Sequence, residues 1–257
     1  MYKIINSILA DRQGDIIFKC FGIWHIIYLV IILGALLTAL LILRKRSEKT
    51  KKIAIEVVIT TAFVLYMAEF FLMPFAYGYI DVEKLPFHIC TVSCILCFLS
   101  RHNKFLSKFK LQFAIIGLIG NFIYIFYPAG VEWKQVHPVT YRVIQTLIYH
   151  GLMAAYGLFV LTFEEKKLDI KKCYKDVIII LILVSWALLG NNLYNGFNDD
   201  YTYKFNWFFV VKEPFGIIDL NISKFIMPFF MPVFLFSLDL LIRGIYYLFK
   251  RPRKAKA

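Results

Sequence analysis

The stretch Leu85-Pro86-Phe87-His88-Ile89-Cys90 opens an apolar run that ends at Arg101. Pro86 presets the backbone of a helical first turn and lacks the amide hydrogen that stays unpaired there, so the stretch predicts the start of a helix. His88 and Cys90 then lie among the unpaired N–H groups of that turn, at the positive end of the helix dipole. This position favours a nucleophilic thiolate, whereas burial in lipid favours the neutral thiol.

The composition around this run is that of a membrane protein. The chain has 257 residues, of which 60% are hydrophobic, its mean hydropathy is +0.66, and several apolar runs reach membrane-spanning length. The net charge of +13 does not indicate nucleic-acid binding, because the basic residues cluster in short segments between apolar runs. We therefore predict an all-α polytopic membrane protein with a single transmembrane domain over residues 1–257.

A bundle of seven transmembrane helices is predicted over residues 21–249. The predicted spans are Phe21–Leu43, Ile53–Tyr79, Leu85–Ser100, Leu111–Tyr127, Val139–Phe163, Val177–Tyr194 and Ile217–Phe249. Residues 1–20 are interpreted as an interfacial segment and residues 250–257 as a basic tail. A span needs about 20 apolar residues, so the third and fourth are short. We expect the third to begin inside the protein, below the interface.

The charges of the connections predict the orientation. The segments after the first, third, fifth and seventh spans are strongly basic, whereas the alternate connections carry few lysines and arginines. Because cytoplasmic connections of membrane proteins carry the excess of positive charge, the amino terminus is predicted outside and the carboxyl terminus in the cytosol.

Polar side chains at membrane depth are costly and are therefore candidates for function. At a rise of about 1.5 Å per residue, most of them fall in the outer half of the membrane or near its midplane. A carboxylate as deep as Glu69 needs a partner: it either holds a histidine in one tautomer or carries a proton. Asp239 and Arg243 lie on the cytosolic side, and their i,i+4 spacing predicts a structural salt bridge.

Three cysteines of the third span have the spacing C-x3-C-x2-C, which matches a pattern that ligates iron–sulfur clusters. Cys90, Cys94 and Cys97 instead fall at i, i+4 and i+7 of one predicted helix. They form a stripe about 10 Å long, which is too spread for one cluster. We therefore predict no metal and no cofactor, and the five cysteines imply no disulfide framework.

Three motifs resemble those of a known family. They are the Leu-Pro-Phe-His-Ile-Cys start of the third span, the His150-Gly151 pair in the fifth, and the run Asn206-Trp-Phe-Phe-x-x-Lys-x-Pro214 before the last. They look like the YwaF-type bacterial membrane proteins, which are related to the transmembrane protein 164 acyltransferases. The resemblance covers the chain from the first to the seventh span. It implies a multi-pass protein of the bacterial plasma membrane that places fatty acyl chains on phospholipids, with a cysteine and a histidine as the essential pair.

By motif, the essential histidine maps onto His150, and the cysteine maps onto the segment that holds His88 and Cys90, so the resemblance implies these three as catalytic residues. The supporting polar residues that we predict around them are Glu69, Asn121, Tyr124, Gln145, Tyr149, Asn191 and Asn206. The implied partners are bilayer phospholipids and their acyl chains, with no nucleic acid.

Two mechanisms follow from this resemblance. In one, His150 deprotonates Cys90, which carries the acyl chain as a thioester. In the other, His88 or His150 activates the acceptor hydroxyl directly. Asn121, Gln145 or Tyr149 is expected to stabilise the oxyanion. Depth along the helices leaves Cys90 and His150 about 10 Å apart. A site open to the outer leaflet indicates another phospholipid, rather than acyl-coenzyme A, as the donor.

Two other functions compete with this interpretation. The polar cluster near the midplane is also typical of a substrate site in a small-solute transporter or binding component, although the two halves of the chain show no repeat. The chain is alternatively a membrane scaffold without enzymatic activity. Composition and motifs leave the oligomeric state open.

Overall fold

The structure, a computed structural model, describes residues 15–77, 82–132, 134–164, 173–195, 206–212 and 217–250. Within these ranges the secondary structure is entirely helical. The longer helices are α1 (Ile23–Arg44), α2 (Glu48–Tyr77), α3 (Ile89–His102), α4 (Lys110–Phe126), α5 (Tyr141–Phe159), α6 (Tyr174–Asn195) and α7 (Leu220–Lys250). A π-helical turn, Val160–Glu164, continues α5.

Six of these helices are long and apolar enough to cross a membrane, by length and composition. The all-helical, multi-pass prediction is therefore confirmed in the part of the chain that the structure describes. The exception is α3, which has 14 residues and falls short of the roughly 20 that a span needs. The predicted count of seven spans depends on this helix and stays a prediction, as does the orientation. Residues 1–14 and the tail 251–257 lie outside the described ranges.

The third predicted span begins later than Pro86 indicated. The first residue of α3 is Ile89, so Pro86 precedes the helix instead of occupying its first turn, and His88 lies directly before it. Cys90 is the second helical residue and keeps its predicted place among the unpaired N–H groups of the first turn.

The described residues fall into two compact units. The first contains the chain up to Pro86 and residues 90–164, and therefore holds α1, α2, almost all of α3, α4 and α5. The second contains Phe87–Ile89 and the chain from Glu165 onward, with α6 and α7. The single transmembrane domain over residues 1–257 stays a prediction.

The core of the first unit is the pair α4 and α5, which bury more of their apolar windows than the other spans do. A glycine lets them approach closely. A Cβ atom on Gly157 would lie 2.6 Å from the carbonyl oxygen of Ala114 and 2.7 Å from the Cβ of Leu118. Since real Cβ atoms do not come so near, the close contact of the two backbones requires glycine here.

One end of the first unit is covered by an end cap, which we define as residues 15–22, 128–132 and 134–140. The Phe18 amide donates to the carbonyl of Val136 at 2.9 Å, and Phe18 packs with Val136 and Leu147 in a buried apolar cluster. The Cys20 amide donates to Glu132 Oε1 at 3.0 Å. Partial burial, followed by the hydrogen bond and charge of Glu132, raises the pKa of Cys20 to about 12, so this thiol stays neutral at physiological pH.

The opposite end of the first unit carries an ion-pair cluster. Arg101 at the end of α3 donates to Glu56 of α2 at 2.6 Å and to both oxygens of Glu164 at 2.8 and 2.9 Å. Lys110, the first residue of α4, binds the same Glu164 at 2.6 Å. The side chains of Arg101 and Glu164 are 9% and 11% exposed, whereas those of Glu56 and Lys110 are 41% and 26% exposed, so this partly buried cluster ties four elements together.

The second unit is organised around Phe87. Its ring lies 5.0 Å from the rings of both Trp186 and Trp207 and 6.1 Å from that of Tyr194, between centroids. A Cβ atom on Gly190 would collide with it. The ring therefore fills a space that α6 provides by having no side chain at Gly190.

A buried triad of charges joins α6 and α7. Arg243 binds Asp239 on its own helix at 3.0 Å and Asp176 of α6 at 2.5 Å, and all three side chains are at most 1% exposed. The predicted i,i+4 salt bridge is confirmed. Its third member, Asp176, was not predicted, because only the packing of α6 on α7 brings it there.

Candidate functional site

The site is built around His150, which lies in the middle of α5 and is 6% exposed. Its Nδ1 atom lies 2.7 Å from Oδ1 of Asn121, on α4. The amide nitrogen of Asn121 donates to the carbonyl of Gly117 at 2.7 Å, which fixes the orientation of the amide, because an oxygen in that place would face another oxygen. Oδ1 can only accept, so Nδ1 of His150 carries the hydrogen. In the neutral ring, Nε2 is then the basic nitrogen.

Two tyrosines hold the imidazole in place. The ring of Tyr124 stacks on His150 with centroids 3.8 Å apart and planes 16° apart. Tyr149 meets it edge to face at 5.1 Å. On the next residue, a Cβ atom at Gly151 would lie 3.2 Å from Ile32 of α1, so the glycine allows α1 close to α5 at this level. The hydrogen bond to Asn121 and the aromatic contacts with Tyr124 and Tyr149 thus hold the imidazole in place.

Tyr149 also connects the site to the first turn of α3. Its hydroxyl donates to the backbone carbonyl of Cys90 at 2.8 Å. The first turn of α3 therefore lies within reach of the Tyr149 side chain, next to His150 in the sequence of α5. The offset of about 10 Å between Cys90 and His150 along the helices stays a prediction. Cys90, Cys94 and Cys97 are all buried on α3.

Glu69 has a partner that the sequence did not indicate. Its Oε1 atom lies 2.8 Å from the ammonium of Lys84, and the two side chains are 5% and 21% exposed. The carbonyl of Lys84 accepts a hydrogen bond from the Tyr66 hydroxyl at 2.9 Å, which fixes the backbone of this short turn on α2. The charge of Lys84 therefore lies beside Glu69, and this partner is neither of the two alternatives that the sequence predicted.

The structure brings most of the predicted supporting residues into the first unit. Asn121, Tyr124 and Tyr149 contact His150 directly. Gln145 is buried on the same helix and accepts a hydrogen bond from Thr146 at 3.4 Å. The hydroxyl of Tyr124 lies within electrostatic range of both Cys90 and Glu69. These groups therefore share one region of the first unit.

Three other predicted residues belong to the second unit. The amide of Asn191 exchanges hydrogen bonds with the backbone of Trp207 at 3.0 Å in both directions. Asn206 closes a turn by donating to the carbonyl of Lys212 at 2.6 Å and accepting from its amide at 3.1 Å. His88 lies beside Phe87, directly before α3. Both asparagines thus serve the backbone of this unit.

Two functional candidates were missed by the sequence analysis. Arg142 lies at the start of α5 and is only 7% exposed. Lys84 lies in the Val82–Lys84 turn. Both were treated as ordinary charges of the weakly basic connections. The signal for Arg142 was its position two helical turns before His150, on the same side of the helix.

The arrangement can perform proton transfer in a water-poor setting. A buried imidazole with a fixed tautomer, next to a helix start that carries a thiol, suits general base catalysis at a hydroxyl or a thiol. The fold and this site together define a multi-pass helical membrane protein with a buried polar centre in its first unit.

The family is shown by comparison with known proteins. The model of the TMEM164 family matches residues 20–248, which is most of the chain, and the protein belongs to that family. No curated protein and no solved structure matches the chain. The membership confirms the resemblance to the transmembrane protein 164 proteins.

Proposed function

We propose that this protein is an integral membrane acyltransferase that transfers fatty acyl chains between phospholipids, with His150 as its general base and acid. The observation that carries the proposal is the hydrogen bond from His150 Nδ1 to Asn121 Oδ1 at 2.7 Å, because it directs the basic Nε2 atom away from Asn121. The membership of the TMEM164 family and the apolar helices around the site support a lipid substrate.

The first step loads the enzyme. Nε2 of His150 takes the proton of the Cys90 thiol, and the thiolate attacks the carbonyl carbon of an ester in a donor phospholipid. The carbon–oxygen bond of the ester breaks, and the departing glycerol oxygen takes the proton from Nε2. The products are a thioester on Cys90 and a lysophospholipid. The first turn of α3 contributes its unpaired N–H groups, which favour the thiolate.

In the second step the acyl chain passes from Cys90 to the acceptor lipid. Nε2 of His150 takes the proton of a lysolipid hydroxyl, whose oxygen attacks the thioester carbonyl. The carbon–sulfur bond breaks, and the Cys90 sulfur leaves and takes the proton back. Asn121 is assigned to His150, and the Tyr149 hydroxyl donates its hydrogen to the Cys90 carbonyl, so Gln145 is the candidate for the oxyanion. The alternative without a thioester uses the same imidazole on the hydroxyl directly.

The orientation belongs to the same proposal. We place α3 as the third of seven spans in a bacterial plasma membrane, with the amino terminus outside and the tail in the cytosol. The basic end that holds Arg101 and Lys110 then faces the cytosol. The His150 site opens toward the outer leaflet, where acyl-coenzyme A has no access. Reporter fusions at each terminus test this: an even number of spans puts both termini on one side and contradicts it.

The reaction is tested with purified protein in detergent, mixed with a phospholipid that carries a labelled acyl chain and with a lysophospholipid, without acyl-coenzyme A. We expect transfer of label by the wild type and its loss in His150→Gln. Cys90→Ser abolishes transfer in the covalent mechanism and spares it in the direct one, and Cys94→Ser is the matched control on the same helix. Mass spectrometry of the trapped intermediate locates the thioester. Absence of label transfer by the folded wild type contradicts the proposal.

A further inference from the structure

One buried face of α5 is polar along its first three turns. Arg142, Gln145, Thr146, Tyr149 and His150 are all buried and recur at the i, i+3, i+4, i+7 and i+8 positions that share one side of a helix. Eight residues at a rise of about 1.5 Å place Arg142 roughly 12 Å from His150 along the axis. We call this set the polar face of α5. It leads from the end cap to the imidazole.

Arg142 is the charged member of this face. A guanidinium that is 7% exposed is costly to bury and needs acceptors. Its five N–H donors form a planar fork that matches a phosphate with two parallel hydrogen bonds. Five donors are enough to bind a phosphate in addition to a protein acceptor.

Tyr124 connects the two ends of the polar face. Its ring stacks on His150 at 3.8 Å, and its hydroxyl lies within electrostatic range of Arg142. The hydroxyl also reaches the end cap, where a Cβ atom on Gly130 would lie 3.1 Å from it. Glu69 lies in the same region, but Lys84 at 2.8 Å compensates its charge. The repulsion between Glu69 and a bound anion is therefore reduced.

We propose that Arg142 binds the headgroup phosphate of the lipid whose ester or hydroxyl group lies at His150. This inference rests on the proposed function and assigns to Arg142 the recognition of the phosphate that phospholipids carry and neutral acylglycerols lack. The phosphate of a membrane lipid lies nearer the interface than its esters do, which matches the order of Arg142 and His150 along α5. The polar face between them then accommodates the glycerol part of the lipid.

The test measures binding, which does not require turnover. The full chain in detergent is titrated with short-chain dihexanoyl phosphatidylglycerol, with neutral dihexanoylglycerol and with inorganic phosphate, and its thermal unfolding is followed. We expect the phospholipid to raise the unfolding temperature and the other two ligands to leave it unchanged. Loss of a bidentate contact between charged groups weakens binding about ten- to hundredfold, and we expect this for Arg142→Gln, with partial recovery in Arg142→Lys. Lys134→Gln, an exposed cation in the end cap, is the matched control and keeps full affinity.

Equal stabilisation of the wild type by the neutral and the phosphate-bearing lipid overturns the inference without any variant, even if Arg142→Gln fails to fold. If inorganic phosphate stabilises the protein as much as the phospholipid does, the site binds free phosphate, and the proposal of a lipid headgroup as its ligand is refuted. Binding that depends on Arg142 without any transfer of label refutes the reaction and keeps the phosphate site. If label is transferred equally well by Arg142→Gln and from a lipid without phosphate, the phosphate site at Arg142 is refuted and the acyl transfer is not.

Discussion

Replacing Asn121 by leucine isolates the contact on which the proposed chemistry depends. Leucine keeps the branched skeleton of four side-chain heavy atoms that asparagine has, so it is the apolar substitute closest in shape. It removes the oxygen that accepts from His150 Nδ1 at 2.7 Å and the amide that donates to Gly117 at 2.7 Å. The imidazole keeps its stacking on Tyr124 but loses the acceptor that fixes its tautomer.

The magnitude follows from burial. Asn121 is 0% exposed and His150 is 6% exposed, so water does not simply replace the lost partner. A buried donor left unsatisfied costs about 1–3 kcal/mol. We expect the free energy of unfolding to fall by about this amount. Transfer of acyl label should fall about ten- to hundredfold, because a ring with its hydrogen on Nε2 has no basic nitrogen toward the substrate.

The tautomer can be observed without turnover. Protein labelled with ¹⁵N-histidine gives different nitrogen shifts for the two neutral tautomers, and His150→Gln identifies the signal among the five histidines of the chain. We expect the hydrogen on Nδ1 in the wild type and a mixture in Asn121→Leu. Asn121→Asp retains an oxygen acceptor and should restore the Nδ1–H form. A wild type with its hydrogen on Nε2, or a variant with the tautomer unchanged, refutes the reasoning.

Three further substitutions test the packing through thermal unfolding in detergent. Gly157→Ala forces α4 and α5 apart and should cost about 1–3 kcal/mol, with a parallel loss of the Nδ1–H signal of His150; an unchanged signal and stability contradict the close crossing. Gly190→Ala should destabilise by a similar amount, and the double variant with Phe87→Leu should recover part of it; no recovery would mean that the ring does not fill that space. Arg243→Met leaves two buried carboxylates without their cation and should cost about 3–5 kcal/mol, whereas a loss within 1 kcal/mol would mean that the triad is solvated.

The helices were predictable because a span needs a long apolar run, and most runs of this chain are bounded by charges. The start of α3 was not. Local rules indicated Pro86, but the Phe87 ring packs with Trp186 and Trp207, and α3 begins only at Ile89. Contacts with residues about a hundred positions along the chain override a proline signal.

The site was predictable as a set of residues and not as a set of contacts. Depth in the membrane and the family motif selected His150 and Asn121, but no local rule relates positions 29 apart. Only the close crossing of α4 and α5 pairs them. Glu69 was recognised as a carboxylate that needs a partner. That its partner is Lys84 depends on the fold of the connection between α2 and α3, which hydrophobic periodicity does not describe.

The π-helical turn at Val160–Glu164 has a consequence for chain length. A π turn accommodates one residue more than an α turn, and each residue corresponds to about 100° of rotation around the axis. Deleting a single residue there would restore regular α winding and leave the Glu164 carboxylate on nearly the same side of the axis, because the widened turn spreads one extra residue over about the same rotation. The π turn therefore absorbs one residue of chain length while Glu164 keeps facing Arg101 and Lys110, so a single-residue deletion between Val160 and Phe163 should spare the ion-pair cluster.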